Sequence, residues 1–146
     1  MSEGVTVRRA SRDDSGAVAP LLTQLGYPTT TEQLAPRFDR VSGSTVDSAW
    51  VALDGSGAVI GFAAGHLAHK YELDRPVAEL TALVVDARVR RGGAGRALVA
   101  TVEAWATAAG ALRFTVATAF HRADAHAFYE ALGYQQLARK YEKSLA

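Results

Sequence analysis

A glycine-rich turn joins a strand-like run to a helix-like run in the middle of this 146-residue chain. The apolar run Leu80–Val85 indicates a buried strand, and Ala97–Ala109 has the composition of a helix. Between them, the segment 92–95 (Gly-Gly-Ala-Gly) supplies backbone with almost no side chain. A strand, a tight turn and a helix in this order direct free N–H groups and the positive end of the helix dipole at one point. The turn is therefore predicted to bind an anion, above all phosphate.

Arginines flank this turn and add positive charge to it. Arg90 and Arg91 precede the glycines, and Arg96 follows them. Their guanidinium groups carry forked donors that match phosphate oxygens. The net charge of the whole chain is only +1, so the basic residues form a local feature rather than a general field. We therefore expect neither nucleic acid nor a membrane as a partner.

The glycine-rich loop fits one of three known phosphate-binding patterns. A P-loop requires Lys and then Ser or Thr after the last Gly, where this chain has Arg96-Ala97. A dinucleotide fingerprint requires a third Gly in register after Gly93 and Gly95, and there is none. The spacing that fits is Arg-x-x-Gly-x-Gly, beginning at Arg90. Taken alone, the loop is equally consistent with a glycine-rich turn that binds nothing.

Composition excludes several kinds of site. The chain has no Cys, which rules out a disulfide framework, a thiolate zinc site and a cysteine nucleophile. His66 and His69 are three apart on a predicted strand, so they point to opposite faces, and His121 and His126 share no helix face. We therefore expect no metal site.

Length and hydropathy indicate a single domain over residues 1–146. Apolar residues make up 49% and charged residues 21%, as in a globular protein. The N-terminus lacks a basic segment followed by an apolar one, and no apolar run reaches the length of a membrane span. We expect a cytoplasmic protein.

Hydrophobic periodicity and turn residues predict the order β-α-α-β-β-β-α-β-α-β. The predicted strands are Val5–Arg9, Ser48–Leu53, Ala58–His69, Val77–Val85, Leu112–Thr118 and Tyr134–Lys143. The predicted helices are Ser11–Leu25, one from the Thr29–Thr31 cap to Val41, Ala94–Ala109 and His121–Leu132. Antiparallel hairpins precede β-α-β units, so the fold class is α/β with one mixed sheet and helices on both faces.

Two motifs and this element order resemble the GCN5-related N-acetyltransferase (GNAT) superfamily. The first motif is Leu83-Val84-Val85 followed by the loop from Arg90 to Gly95. The second, Ala125-x-x-Phe128-Tyr129-x-x-x-Gly133-Tyr134, is similar to the family's Ala-x-x-Phe-Tyr-x-x-x-Gly-Phe. The resemblance covers nearly the whole chain. It implies the GNAT fold, in which the strand of the first motif splays from the strand at Leu112–Thr118.

The resemblance also implies a cofactor site for acetyl-CoA, the co-substrate of the family. Backbone of Leu83, Val84 and Val85 would pair with the pantetheine arm. The pyrophosphate would lie in the loop formed by Arg90, Arg91, Gly92, Gly93, Ala94, Gly95 and Arg96. Arg122 stands where many members carry an Asn that contacts the cofactor. It is expected to reach a CoA phosphate or to cap a helix.

Two side chains are candidates for proton transfer. Tyr129 matches the family's tyrosine that protonates the departing CoA thiolate, and the alternative is a tyrosine packed in the core. Glu79 matches the position of the base in histone-type members, and its predicted strand parity places it with Thr81, Leu83 and Val85. Its alternative is an exposed carboxylate paired with Arg75 or Lys70.

The function implied is transfer of acetyl from acetyl-CoA to a primary amine by direct attack in a ternary complex. The acceptor is a small-molecule amine or a peptide amine, and the sequence leaves this open. A CoA-binding regulatory domain without turnover and a nucleotide-phosphate binder are the alternatives. Family members often pair through exposed sheet edges, so a homodimer is expected, with the strand Tyr134–Lys143 at the edge.

Overall fold

The computed structural model describes residues 4–89, 92–117, 123–137 and 141–146. Its strands are β1 (Thr6–Arg9), β2 (Asp47–Leu53), β3 (Val59–Ala68), β4 (Val77–Val85) and β5 (Arg113–Val116). Its helices are α1 (Ser15–Leu25), α2 (Thr31–Val41), α3 (Ala94–Ala108) and α4 (Ala123–Ala131). Two compact units, Met1–Val116 and Ala117–Ala146, divide the chain, and the first contains the whole described sheet.

The five strands form one mixed sheet in the order β1-β2-β3-β4-β5, so the predicted fold class is confirmed. The first four strands are antiparallel, and β5 lies parallel to β4. Pairing of β4 with β5 covers only Val77–Leu80, whereas β4 continues to Val85. Beyond Leu80 no described strand occupies that edge of β4, which is the opening that a splayed pair produces.

Helices α1 and α2 cover one face of the sheet. Their buried residues Val18, Leu21, Leu34 and Phe38 form one core with Val51, Phe62 and Val84 of the strands. Phe38 meets Phe62 edge-to-face at 6.1 Å between ring centroids. Thr30 caps α2 by accepting from the Gln33 N–H, as the predicted threonine cap requires.

Helix α3 covers the opposite face, and two glycines of β3 allow it to approach closely. A Cβ on Gly65 would lie 2.9 Å from both Trp105 and Val102, and one on Gly61 would lie 3.0 Å from Leu98. Trp105 also packs edge-to-face on Trp50 at 5.5 Å. The prediction of helices on both faces is therefore confirmed within the first unit.

The C-terminal unit departs from the predicted order. Two residues after the end of α4, Gly133 has a left-handed backbone (φ 94°), and the Tyr134 N–H donates to the Tyr129 carbonyl at 3.1 Å. Residues 134–137 and 141–146 contain no strand, so the predicted strand Tyr134–Lys143 is wrong over the part that the structure describes. Tyr141 and Leu137 are strongly exposed there. Alternation of apolar and polar residues does not by itself form a β-ladder, because a strand needs a neighbouring strand to pair with.

Among the described residues, no helix combines the length and apolar character needed to cross a membrane.

Candidate functional site

A buried carboxylate, that of Asp86, directly follows the last residue of β4. Asp86 is 5% exposed and donates its N–H to the Ile60 carbonyl at 2.8 Å. Its Oδ1 accepts from the N–H and Nε of Arg88 at 3.1 and 3.2 Å, and its Oδ2 accepts from Nη2 at 2.7 Å. The Arg88 side chain first, and then its N–H, hold the pKa of the Asp86 carboxyl far below its usual value. Asp86 therefore stays ionised and ties the short 3-10 turn Ala87–Val89 to the strand.

A side chain from α1 reaches the same turn. Gln24 accepts the Ala87 N–H on Oε1 at 2.9 Å, and its Nε2 lies 3.4 Å from Asp86 Oδ1. The sequence analysis did not single out Gln24 or Asp86. Gln24 precedes Asp86 by 62 positions, and no local pattern connects them.

The glycine-rich loop ends in an open helix N-terminus. Gly93 is the N-cap of α3 with left-handed backbone (φ 89°), and its carbonyl accepts the Ala97 N–H at 3.0 Å. No described residue accepts from the N–H groups of Ala94, Gly95 and Arg96 in the first turn of the helix. Gly93 confirms the tight turn, because side chains other than glycine rarely adopt this φ.

Four residues considered in the sequence analysis lie outside the described residues. They are Arg90, Arg91, His121 and Arg122. The assignment of the three arginines to the cofactor stays a prediction. The loop residues that the structure describes are Gly92 to Arg96.

The open edge of β4 presents backbone groups next to this loop. The Asp86 N–H points toward β3, where it reaches Ile60. Because hydrogen-bonding direction alternates along an antiparallel strand, the N–H and C=O of Val85 and Leu83 point to the opposite edge. That edge has no described partner beyond Leu80. An extended ligand can pair there as an additional strand would.

A β-bulge sets the direction of Glu79. The register of β3 against β4 shifts between Ala64 and Gly65, which leaves Thr81 without a partner. An extra residue in a strand reverses the alternation of side chains beyond it. Glu79 therefore lies on the α1/α2 face with Val84, and the predicted parity with Leu83 and Val85 is wrong.

Glu79 has polar neighbours across the sheet. His66 of β3 is its partner in register, and Asp47 of β2 is in turn the partner of His66. His66 Nδ1 and Asp47 Oδ1 are 2.8 Å apart, and Ser44 donates to the other oxygen of Asp47 at 3.3 Å. This Asp47–His66 pair was missed by the sequence analysis, because the register that aligns the two strands is not visible in it.

The alternative pairing of Glu79 does not occur in the described part of the chain. Arg75 directs its Nε to the Gly110 carbonyl at 2.8 Å, and no ion pair joins Glu79 to Arg75 or Lys70. The Glu79 carboxylate is half-buried and has no hydrogen-bond partner among the described residues.

Tyr129 lies on α4 between two aromatic rings. Its ring meets Phe128 at 5.2 Å and Tyr134 at 5.8 Å, both edge-to-face. Burial raises the pKa of Tyr129 to about 12. The phenol therefore carries its proton throughout the physiological range, as a hydrogen-bond donor must.

The described residues offer no group of three or more ligands for a metal ion. A shallow depression of about 190 Å³ lies between the end of α3 and β5, lined by Ala106, Leu112 and Phe114 among others. The depression is at the end of α3 remote from the glycine loop, and none of the residues predicted to bind the cofactor or to transfer a proton lines it.

Comparison with known proteins agrees with this geometry. Residues 20–134 match the model of the Acetyltransferase (GNAT) family, which is most of the chain. The chain belongs to the GNAT acetyltransferase family. It is an acetyl-CoA-dependent N-acetyltransferase, and the family match alone does not specify its acceptor.

Individual GNAT relatives are similar over nearly their whole length. An aminoglycoside N(6')-acetyltransferase type 1 from Stenotrophomonas maltophilia is 29% identical over 137 residues, 92% of this chain and 88% of that protein. Glucosamine-6-phosphate N-acetyltransferase from Arabidopsis thaliana superposes with a TM-score of 0.84 at 19% identity, covering 97% and 99% of the two chains. AAC(6')-Iy, solved with the bisubstrate analogue CoA-S-monomethyl-acetylneamine, gives 0.81 at 21% identity, covering 96% and 98%. The structural likenesses establish the shared fold.

Proposed function

We propose that this N-acetyltransferase moves acetyl from acetyl-CoA to a primary amine of a small molecule by direct attack. The observation that carries the proposal is the junction of an open β4 edge with an open α3 N-terminus, formed around the left-handed Gly93. Acetyl-CoA has both an extended amide-containing arm and a pyrophosphate. The edge suits the arm and the helix N-terminus suits the phosphates.

Acetyl-CoA is proposed to be bound more by backbone groups than by side chains. Val85 and Leu83 would pair with the pantetheine arm. The N–H groups at the start of α3 would donate to the pyrophosphate, where Arg96 adds charge. Arg90, Arg91 and Arg122 would add further charge, as the family resemblance implies.

The reaction needs a neutral amine. Its nitrogen lone pair attacks the thioester carbonyl carbon, and the C–S bond breaks as the tetrahedral intermediate collapses. With no Cys in the chain to carry the acyl group as a thioester, we favour direct attack in a ternary complex. Glu79 is proposed to take the amine proton through water, since its carboxylate is half-buried and unpaired among the described residues.

Tyr129 is proposed to assist the leaving group. An ordinary thiol has a pKa of about 8.5, well below the value of about 12 for Tyr129. The thiolate is thus the weaker base, and full proton transfer from Tyr129 is unfavourable. Its contribution is then a hydrogen bond to the developing thiolate charge rather than complete proton transfer.

The acceptor class is supported by the aminoglycoside acetyltransferase relative, which is named for a small amine-bearing substrate. The test is a panel of primary amines, including aminoglycosides, amino sugars, polyamines and peptides, with release of free thiol as the readout. Turnover with small amines and none with peptides is the expected result. Peptide turnover alone would overturn the acceptor class.

Thiol release with no member of the panel, despite tight binding of acetyl-CoA, would favour a CoA-binding domain without turnover. Titration with ATP separates the acetyltransferase and the CoA-binding domain from a general nucleotide-phosphate binder, which would bind ATP as well as acetyl-CoA.

A further inference from the structure

Gln24 of α1 bridges to the turn that follows β4. This bridge takes no part in the acetyl-transfer chemistry proposed above, and it indicates a separate role for Gln24. Gln24 is in the last turn of α1, and its amide meets both Ala87 and Asp86. We propose that Gln24 is a positioning residue for the cofactor loop, which it holds in its phosphate-binding conformation. The inference rests on the proposed placement of acetyl-CoA at that loop.

The described contacts lead from α1 to the turn that precedes the loop. Gln24 holds the Ala87 N–H at 2.9 Å, and the Val89 N–H closes the turn on the Asp86 carbonyl at 3.0 Å. The Val89 carbonyl then lies 3.4 Å from where a Cβ of Gly92 would be. The turn and the first described residue of the loop are thus close neighbours, and the proposal is that the position of the turn sets the position of the loop.

An amide side chain suits the bridge. Its oxygen accepts the Ala87 N–H at 2.9 Å, and its NH₂ adds a weaker donor, at 3.4 Å, to an Asp86 carboxylate that already accepts from Arg88. Alanine supplies neither. Glutamate supplies the acceptor but places a second carboxylate beside Asp86, which is the less favourable change because like charges repel.

The experiment compares Gln24→Ala and Gln24→Glu with a control of matched character. Asp14→Asn removes a similar feature, a carboxylate with 7% side-chain exposure that pairs with both ends of the Arg8 guanidinium at 2.9 and 3.0 Å. Asp14 precedes α1, whereas Gln24 is at its other end. The control thus disturbs an ion pair in the same unit without touching the turn.

Acetyl-CoA affinity is measured by calorimetry, KM and kcat by thiol release, and folding by thermal unfolding. Gln24→Ala is expected to weaken acetyl-CoA binding about fivefold, the loss typical of one hydrogen bond. Gln24→Glu should weaken it more than Gln24→Ala. In both variants KM for acetyl-CoA should rise with kcat unchanged at saturation. Asp14→Asn should keep wild-type affinity even if its melting temperature falls.

Two results would overturn the positioning role. One is wild-type affinity in both Gln24 variants, and the other is an equal loss of affinity in Asp14→Asn. A Gly95→Val variant separates two explanations of such a result: that Gln24 does not position the loop, or that acetyl-CoA does not bind at the loop. If Gly95→Val loses affinity and the Gln24 variants do not, the loop stands and the positioning role falls. If folded Gly95→Val binds normally, the loop placement and the inference both fall.

Discussion

At the scale of single residues, the proposed chemistry depends on one carboxylate, Glu79, and one phenol, Tyr129. Glu79 is half-buried beside the Asp47–His66 pair, and Tyr129 is enclosed by two aromatic rings. A lysine-like amine of pKa about 10.4 is neutral in only about one molecule per thousand at neutral pH, a penalty of about 4 kcal/mol. A base near the amine has the most to contribute under those conditions.

Replacing Glu79 by Gln keeps the shape and removes the base. The rate should fall most at neutral pH and recover partly at alkaline pH, where more of the amine is already neutral. Glu72→Gln, in the exposed loop before β4, is the control and should match wild type. A Glu79→Gln profile that overlays wild type from pH 6 to 10 would mean that another group or bulk water takes the proton.

Replacing Tyr129 by Phe removes one donor from the leaving-group side. Turnover should fall about a hundredfold with acetyl-CoA affinity nearly intact. Since the folded pKa is raised to about 12, Tyr129 stays protonated below that value, and it should cause no alkaline loss of rate up to pH 10. Tyr71→Phe, fully exposed, is the control. Wild-type turnover in Tyr129→Phe, with chemistry rate-limiting, would assign Tyr129 to packing.

At the scale of elements, close contact between α3 and the sheet depends on missing side chains in β3. Gly65→Ala should lower the free energy of unfolding by about 1–3 kcal/mol, because its Cβ would lie 2.9 Å from both Val102 and Trp105. Gly16→Ala in α1 meets nothing within 4 Å and should be neutral or stabilising. Urea denaturation measures both. Equal stability of the two variants would show that α3 has room to move away.

Elements were more predictable from the sequence than the contacts between them. The turns at Gly93 and Gly133 were predictable, because a glycine next to an apolar run is a local sequence signal for a turn. The bulge at Thr81 is not local, since it exists only relative to β3, and it reversed the predicted direction of Glu79. The contact between Gln24 and Asp86 was unpredictable for the same reason, because the two residues are 62 positions apart in the chain and meet only in the fold. The strand predicted at Tyr134–Lys143 shows that alternation without a neighbouring strand is weak evidence.

At the scale of the whole molecule, the homodimer remains a prediction, as do the cytoplasmic location and the absence of nucleic-acid and membrane partners. Strand β5 is the last strand of the sheet among the described residues, and a sheet edge without a neighbouring strand favours pairing with another chain. Leu137, Tyr141 and Leu145 are at least 81% exposed. Light scattering should give about twice the 15.5 kDa of one chain. A single-chain mass at all concentrations would contradict the prediction.

The binding of acetyl-CoA at the junction of β4 and α3 is tested by calorimetric titration of a Gly95→Val variant. Gly95 lies within α3, so a side chain there avoids the strain that the left-handed Gly93 would impose. The added bulk should fill the pyrophosphate space and weaken binding by about 10- to 100-fold. Gly16→Val, remote from the loop on α1, is the control and should bind as wild type does. A folded Gly95→Val protein with wild-type affinity would contradict the account.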